Sequence, residues 1–204
     1  MSNPSVPTIA QAEALLRWAQ TQNPGRWIDH CRTAARAARC IAQACGLDAD
    51  RAYVSGLLHD VGRYEGVRGL HHAIAGYQLL MDKGWEDAAR VCLTHSFPLA
   101  ELEAFAGPMD CTPEETAFIA AYLRDSTYND YDRLIQLCDG ICLPDRVTLM
   151  DTRLIDVAMR HGVTDIMVRK WRAFYAVKQH FDALCGGSVY ALFRKEIVQG
   201  IFDT

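Results

Sequence analysis

Apolar residues recur along this chain at spacings of three and four almost from end to end, and strict alternation is rare. That is the pattern of amphipathic helices rather than strands. The spacing predicts a first helix over Ile9–Gln20 that stops before Pro24 and Gly25, and a longer one over Trp27–Cys45 closed by Gly46. Asp48 is placed to cap a helix that carries Tyr53, Val54, Leu57 and Leu58 and ends near Gly62. Helices are expected next over His71–Lys83 and Trp85–Ser96, then an irregular stretch from Phe97 to Cys111 containing Pro98, Gly107 and Pro108. Thr112, Pro113 and Glu115 form a capping box with proline at the first helical position, opening a helix that runs to Arg124. The remaining helices are predicted over Tyr131–Leu143, Val147–His161, Asp165–Leu184 and Val189–Val198. The expected fold is all-α and a single domain over 1–204, with a core over about 27–146 and accessory helices at about 9–20 and 147–198.

Six polar residues stand where this pattern calls for hydrophobes. His30 shares a helical face with Ala34, Ala37, Ala38, Ile41 and Cys45, while Arg32, Arg36 and Arg39 occupy the other side. An inward histidine needs a partner, because a buried unsatisfied polar group costs on the order of 1–3 kcal/mol. His59 and Asp60 follow Leu57 and Leu58 in a last helical turn, where a carboxylate meets the negative end of the helix dipole unless a cation is near. His72 begins a face that continues through Ala75, Gly76, Leu79 and Leu80; its neighbour His71 is the alternative. Glycine inside a helix costs about 1 kcal/mol relative to alanine, so Gly76 points to a close approach by backbone or ligand. His95 lies with Val91 and Cys92, and Asp139 with Ile135, Cys142 and Leu143. A buried carboxylate must neutralise itself or find a cation. Singly, each admits a satisfied core residue or a solvated turn; one shared metal site accounts for all six.

Composition narrows the partners. The 204 residues carry 21 Lys and Arg against 25 Asp and Glu, a formal charge of −4 without long runs of one sign, which disfavours a nucleic-acid duplex as partner. No apolar run is long enough to cross a membrane. Met1 to Pro7 lacks a basic region followed by an apolar one, so no secretory signal is read there. The eight cysteines contain no C-x-x-C pair and fall among apolar residues, as reduced thiols in a cytoplasmic protein would.

The ordered set His30, His59–Asp60 and Asp139 on helices resembles the HD superfamily of metal-dependent phosphohydrolases, and the string Ser55 to Arg63 is similar to that family's central helix end. The string His72 to Leu80, followed by His95, resembles the branches that hold a second metal. The resemblance covers about residues 27 to 146, and its spacing is most similar to the bacterial symmetrical diadenosine tetraphosphate hydrolases. It implies that His30, His59, Asp60 and Asp139 bind one divalent ion and that His72 and His95 complete a site for another, with Asp60 bridging. Iron, manganese, cobalt, zinc and magnesium all remain open. Ser96 and Phe97 follow His95 where the cyclic-dinucleotide phosphodiesterase branch has a second histidine and an acid, which disfavours that branch.

The expected reaction is attack of metal-activated water on a phosphoester or phosphoanhydride of a small phosphorylated substrate, a nucleotide in the first instance. Asp60, His59 and Arg63 are the expected catalytic residues, and Arg63 and Arg146 the expected phosphate contacts. Arg68, and the run Tyr128, Asn129, Tyr131 and Asp132, are further pocket candidates beside a solvated reading. His161 and His180 are read outside the site. Two rival readings use the same ligands: an HD-type diiron oxygenase acting on a small polyol or phosphonate, and a metal-bound regulatory module without turnover. The chain is expected to be a monomer or a homodimer; the apolar set Trp171, Phe174, Tyr175 and Phe181 is either core or a dimer face.

Overall fold

Side-chain caps start four of the α-helices, among them the two that the sequence signals at Asp48 and Thr112. In the computed structural model, which describes residues 5–202, Thr8 and Gln11 close a capping box on α1 (Ile9–Gln22). α2 (Trp27–Cys45) ends at Gly46, which takes the left-handed φ of 73° that glycine adopts without steric cost. Asp48 accepts from the backbone N–H groups of Asp50 and Arg51 at the start of α3 (Ala49–Leu58). α4 (His71–Met81) and α5 (Glu86–Thr94) follow. α6 (Pro113–Asp125) carries the expected capping box of Thr112 and Glu115, and α7 (Asp130–Ile141) a second box from Asn129 and Asp132. α8 (Met150–His161), α9 (Asp165–Leu184) and α10 (Arg194–Phe202) complete the chain. The regular structure of the described residues is helical, so the fold is all-α, with one isolated bridge between Cys142 and Val147. No helix among the described residues is long and apolar enough to cross a membrane.

Three departures from the predicted boundaries matter. α3 stops at Leu58 rather than near Gly62, and Val61–Glu65 forms a 3-10 turn. Gly62 is pressed against α4: a Cβ there would lie 1.9 Å from the His72 carbonyl oxygen and 2.4 Å from the Gly76 nitrogen. That contact also answers the Gly76 question, since the approach is made by backbone and by the Cys92 side chain. α8 begins at Met150 rather than Val147, because Val147 is spent on the bridge to Cys142, and Leu143 and Arg146 close a reverse turn around Pro144. The last predicted helix opens with a 3-10 turn over Val189–Phe193, capped by Ser188.

α2 is the central element. Its alanine face lets α3 approach until a Cβ on Gly56 would sit 2.7 Å from the Ala35 Cα. Three apolar clusters surround this pair. One joins α1, α2, α3 and α5 through Leu16, Ile28, Leu57 and Cys92. A second lies under α4, α5 and α6 around Phe97 and Ile119. The third runs from Ala38 and Ile41 through Leu137 and Ile141 to Phe174, Phe181 and Phe193 of the C-terminal helices. Phe181 is fully buried and Phe174 nearly so, with Trp171 and Tyr175 packed half-buried against the same core. Of the two options for this set, the core one describes these rings: α9 uses them to dock onto α2 and α7.

Candidate metal centre

Five helices deliver the six sequence-selected residues to one place. His30 stands one turn into α2, His59 and Asp60 follow the end of α3, His72 opens α4, His95 caps α5 and Asp139 lies in the last turn of α7. Adjacent residues on a helix diverge by about 100°, yet His59 and Asp60 face the same centre. The backbone explains it: His59 keeps helical angles while Asp60 shifts to φ −106° and ψ 12°, where the 3-10 turn begins.

His30 Nε2 lies 3.2 Å from His59 Nε2 and 3.1 Å from Asp139 Oδ1. Asp60 Oδ1 lies 3.1 Å from His72 Nε2 and 3.6 Å from His95 Nε2, and those two nitrogens are 3.4 Å apart. Two groups of three potential ligands result, His30–His59–Asp60 and Asp60–His72–His95, with the ligand atoms of each within 4.8 Å of one another. Asp60 is common to both.

Proton placement tests whether these residues suit a cation. Nδ1 of His59 is 2.7 Å from the Gly56 carbonyl, Nδ1 of His95 is 3.0 Å from that of Cys92, and Nδ1 of His72 contacts that of Gly69. A carbonyl only accepts, so each Nδ1 donates and a neutral ring keeps its lone pair on Nε2. Those lone pairs converge on one another and on carboxylate oxygens, an arrangement that is repulsive until a positive charge sits between them. Asp60 Oδ2 takes the Arg63 Nε–H at 2.6 Å, whereas Oδ1 is buried and receives no hydrogen bond of adequate geometry. Imidazole Nε2, carboxylate oxygen and backbone-anchored Nδ1 form a donor set that fits a divalent metal.

The local field favours the ligand forms. Burial, assisted by the His59 ring, pulls His95 down to about 3. Burial likewise lowers His59, so both rings are neutral near pH 7. Burial alone would raise the Asp60 carboxyl, but Arg63, His72 and His59 outweigh it and hold the group well below the usual carboxylate range. Burial of Asp139 is outweighed in the same way by the His30 contact and by Arg153, so its carboxyl is lowered too. Behind the ligands, Asp132 is fully buried and accepts from Arg90 Nε at 2.8 Å and Thr94 Oγ1 at 2.8 Å, while Gln136 Nε2 donates to the Thr94 carbonyl at 3.1 Å. These contacts lock α7 to the end of α5, and so Asp139 to His95. Asp132 is thus a brace between helices, neither pocket lining nor solvated loop, and Tyr128 donates to the Phe97 carbonyl at 2.8 Å.

The cluster floors a cavity of about 420 Å³, within the range of small-molecule sites. Its upper wall comes from α8 and α9: Arg153, Asp156, Arg160, His161, Lys170, Trp171 and Phe174. Arg26, Trp27, Arg63 and Phe105 complete the rim. Burial pulls the Lys170 ammonium down to about 8, with Asp139 opposing the shift. Arg63 is where the sequence placed it. Arg146 is not: its guanidinium pairs with Asp145 at 2.6 Å and packs beside Gly200, facing Arg36 and Glu196 in a separate groove, because the Pro144 turn points it away from the cavity. His161, read as outside the site, lines the cavity. His71 looks away from it towards Glu65 and Glu115, at 2.8 and 3.5 Å. His180 pairs with Asp130 at 3.1 Å. Arg153, Arg160 and Lys170 were missed because cations spaced along an amphipathic helix read as its solvent face.

The HD domain family matches residues 27–142. No curated protein and no solved structure matches the chain. A family match that runs from the first residue of α2 to the C-cap of α7, more than half the chain and all of the helices that carry the six convergent residues, makes this protein a member of the HD domain family.

Proposed function

We propose that the protein is a metal-dependent phosphohydrolase for a small phosphorylated substrate of the nucleotide class, with two divalent ions sharing Asp60. Membership of a family whose proteins are generally phosphohydrolases supports the reaction class. The observation that carries the reading is Asp60: its Oδ1 is buried without a hydrogen bond, and the residue is common to two groups of histidines. His30, His59 and Asp139 would hold one ion with Asp60, and His72 and His95 the other. Such ions supply Lewis acidity and a bound water that is deprotonated near neutral pH.

The chain's own groups do the rest. Nδ1 donation to backbone carbonyls keeps the rings of His59, His72 and His95 oriented. Arg63 neutralises the outer oxygen of Asp60 and faces the cavity, where it can take charge that develops on a transferring phosphoryl group. The cationic upper wall draws in an anion, and Trp27, Phe105, Trp171 and Phe174 restrict water around it. The ligands support this reading over a non-catalytic module, since none of the six is displaced from the cluster.

Elemental analysis of protein purified without chelators, together with phosphate release from a nucleotide panel under anaerobic conditions, tests the proposal. Wild type is expected to carry about two ions and His72→Ala about one, with metal-dependent release by wild type. One ion in both proteins rejects the dinuclear site. A metal-loaded protein that consumes oxygen and releases no phosphate rejects the hydrolase reading.

A further inference from the structure

α8 and α9 lie outside the family match, and they carry charge that the metal cluster does not use. Lys170 is only 8 % exposed, among Met167, Phe174, Val177 and Phe181 on the buried side of α9. Its Nζ stands 5.8 Å from the Phe174 ring centroid, makes no hydrogen bond or ion pair among the described residues, and faces the cavity. Arg153 is the second anomaly: its Nε is buried without an acceptor, its Nη1 donates to Asp156 at 2.9 Å, and its Nη2 reaches only to 3.9 Å from Asp139 Oδ1. Asp156 is itself shared with Arg160 at 2.9 Å. On this wall three cations therefore face one carboxylate.

An unpaired buried charge is costly. Holding one at the mouth of a ligand cavity makes sense when the ligand brings the counter-charge. We infer that Lys170 and Arg153 form an anion subsite for a second phosphate group, adjacent to the phosphoryl group bound over the cluster, so that the substrate is a phosphoanhydride rather than a simple monoester. Both features of the wall agree with the second phosphate of an anhydride as occupant. Lys170 offers a compact ammonium with three donors, and Arg153 offers the Nη2 edge of its guanidinium, which has only the 3.9 Å contact to Asp139. Its position beside Asp139 puts that second phosphate next to the cluster, as a directly linked phosphate requires. The inference rests on the phosphohydrolase reading for its chemistry, but the subsite is a binding property and is measured separately.

The test is calorimetric titration of the metal-loaded protein with inorganic phosphate and with inorganic pyrophosphate, in a fixed excess of the same divalent ion. Wild type is expected to prefer pyrophosphate by about tenfold or more, the strength of one charge-assisted hydrogen bond. Lys170→Met is expected to abolish most of that preference while metal content and phosphate affinity hold, and Lys170→Arg to restore part of it. The melting temperature separates the roles: Lys170→Met should melt at or above wild type, because it removes an unpaired buried charge. No pyrophosphate preference in wild type, or a preference untouched in Lys170→Met, overturns the subsite. A Lys170-dependent preference in a protein that hydrolyses nothing leaves the subsite standing and removes the hydrolase reading.

Discussion

The floor and the upper wall of the cavity handle polar burial in opposite ways. The floor, from α2, α3, α4, α5 and α7, packs four histidines and two aspartates among alanines, leucines and cysteines. Its hydrogen bonds settle Nδ1 of His59, His72 and His95 on carbonyls, turn their Nε2 atoms to the centre and leave Asp60 Oδ1 bare. The upper wall, from α8 and α9, presents Arg153, Arg160 and Lys170, and its exposed flank is held by ion pairs. The floor has electron pairs without protons, and the wall has protons without electron pairs. A site built this way suits positive charge below and an anion above, which is the charge order of the proposed metal-bound phosphate.

Three further experiments bear on that contrast. The largest effect is expected from Asp60→Asn, which keeps the shape but removes the charge common to both groups. Metal content should fall, and activity should drop by more than about a hundredfold, since loss of an outer-sphere partner alone costs about 10–100-fold. Activity within a few-fold of wild type would remove the floor from the chemistry.

A smaller effect is expected in the wall. Arg153→Gln should raise KM by about tenfold with kcat and metal content close to wild type, because its only contact with a ligand is the 3.9 Å approach to Asp139. A fall in metal content instead would show that the contact with Asp139 makes Arg153 part of the floor.

The smallest change is spread over pH. In metal-free protein, His59 and His95 are held below their ordinary value, His95 at about 3. Below about pH 6.5 the unfolded chain takes up protons on these rings that the folded one refuses, so stability present above that pH is lost as pH falls towards 3. Each ring contributes at most about 1.4 kcal/mol per pH unit. Denaturant midpoints from neutral to acid pH should show the decline, and His95→Gln should flatten it. Midpoints that do not change over this range would mean the rings are not buried neutral.

The floor was legible in the sequence because burial on a helix follows from periodicity. His30 shares the face of Ala34, Ala37 and Ile41, and Asp139 that of Ile135 and Cys142, so their inward direction could be read without coordinates. Caps were equally plain at Asp48 and Thr112, where a short-range hydrogen bond sets the helix start. Arg146 misled the reading because a loop cation gives no direction until its turn is built. Lys170 was invisible for a related reason: a lysine near a tryptophan and phenylalanine on a long helix looks like a snorkelling surface residue, and it is the docking of α9 onto α2 and α7 that buries it.

By itself the sequence determined that the chain is helical, where most helices begin, and which polar residues face inward, because each of these depends on neighbours within a few positions. Tertiary structure alone decided that His30 meets Asp139 across 109 positions of chain and that Asp60 leaves the helix to join both histidine groups. It also decided that cations of α8 and α9 close over them. Those facts depend on how helices pack, and packing is a property of whole faces in contact that no local spacing encodes.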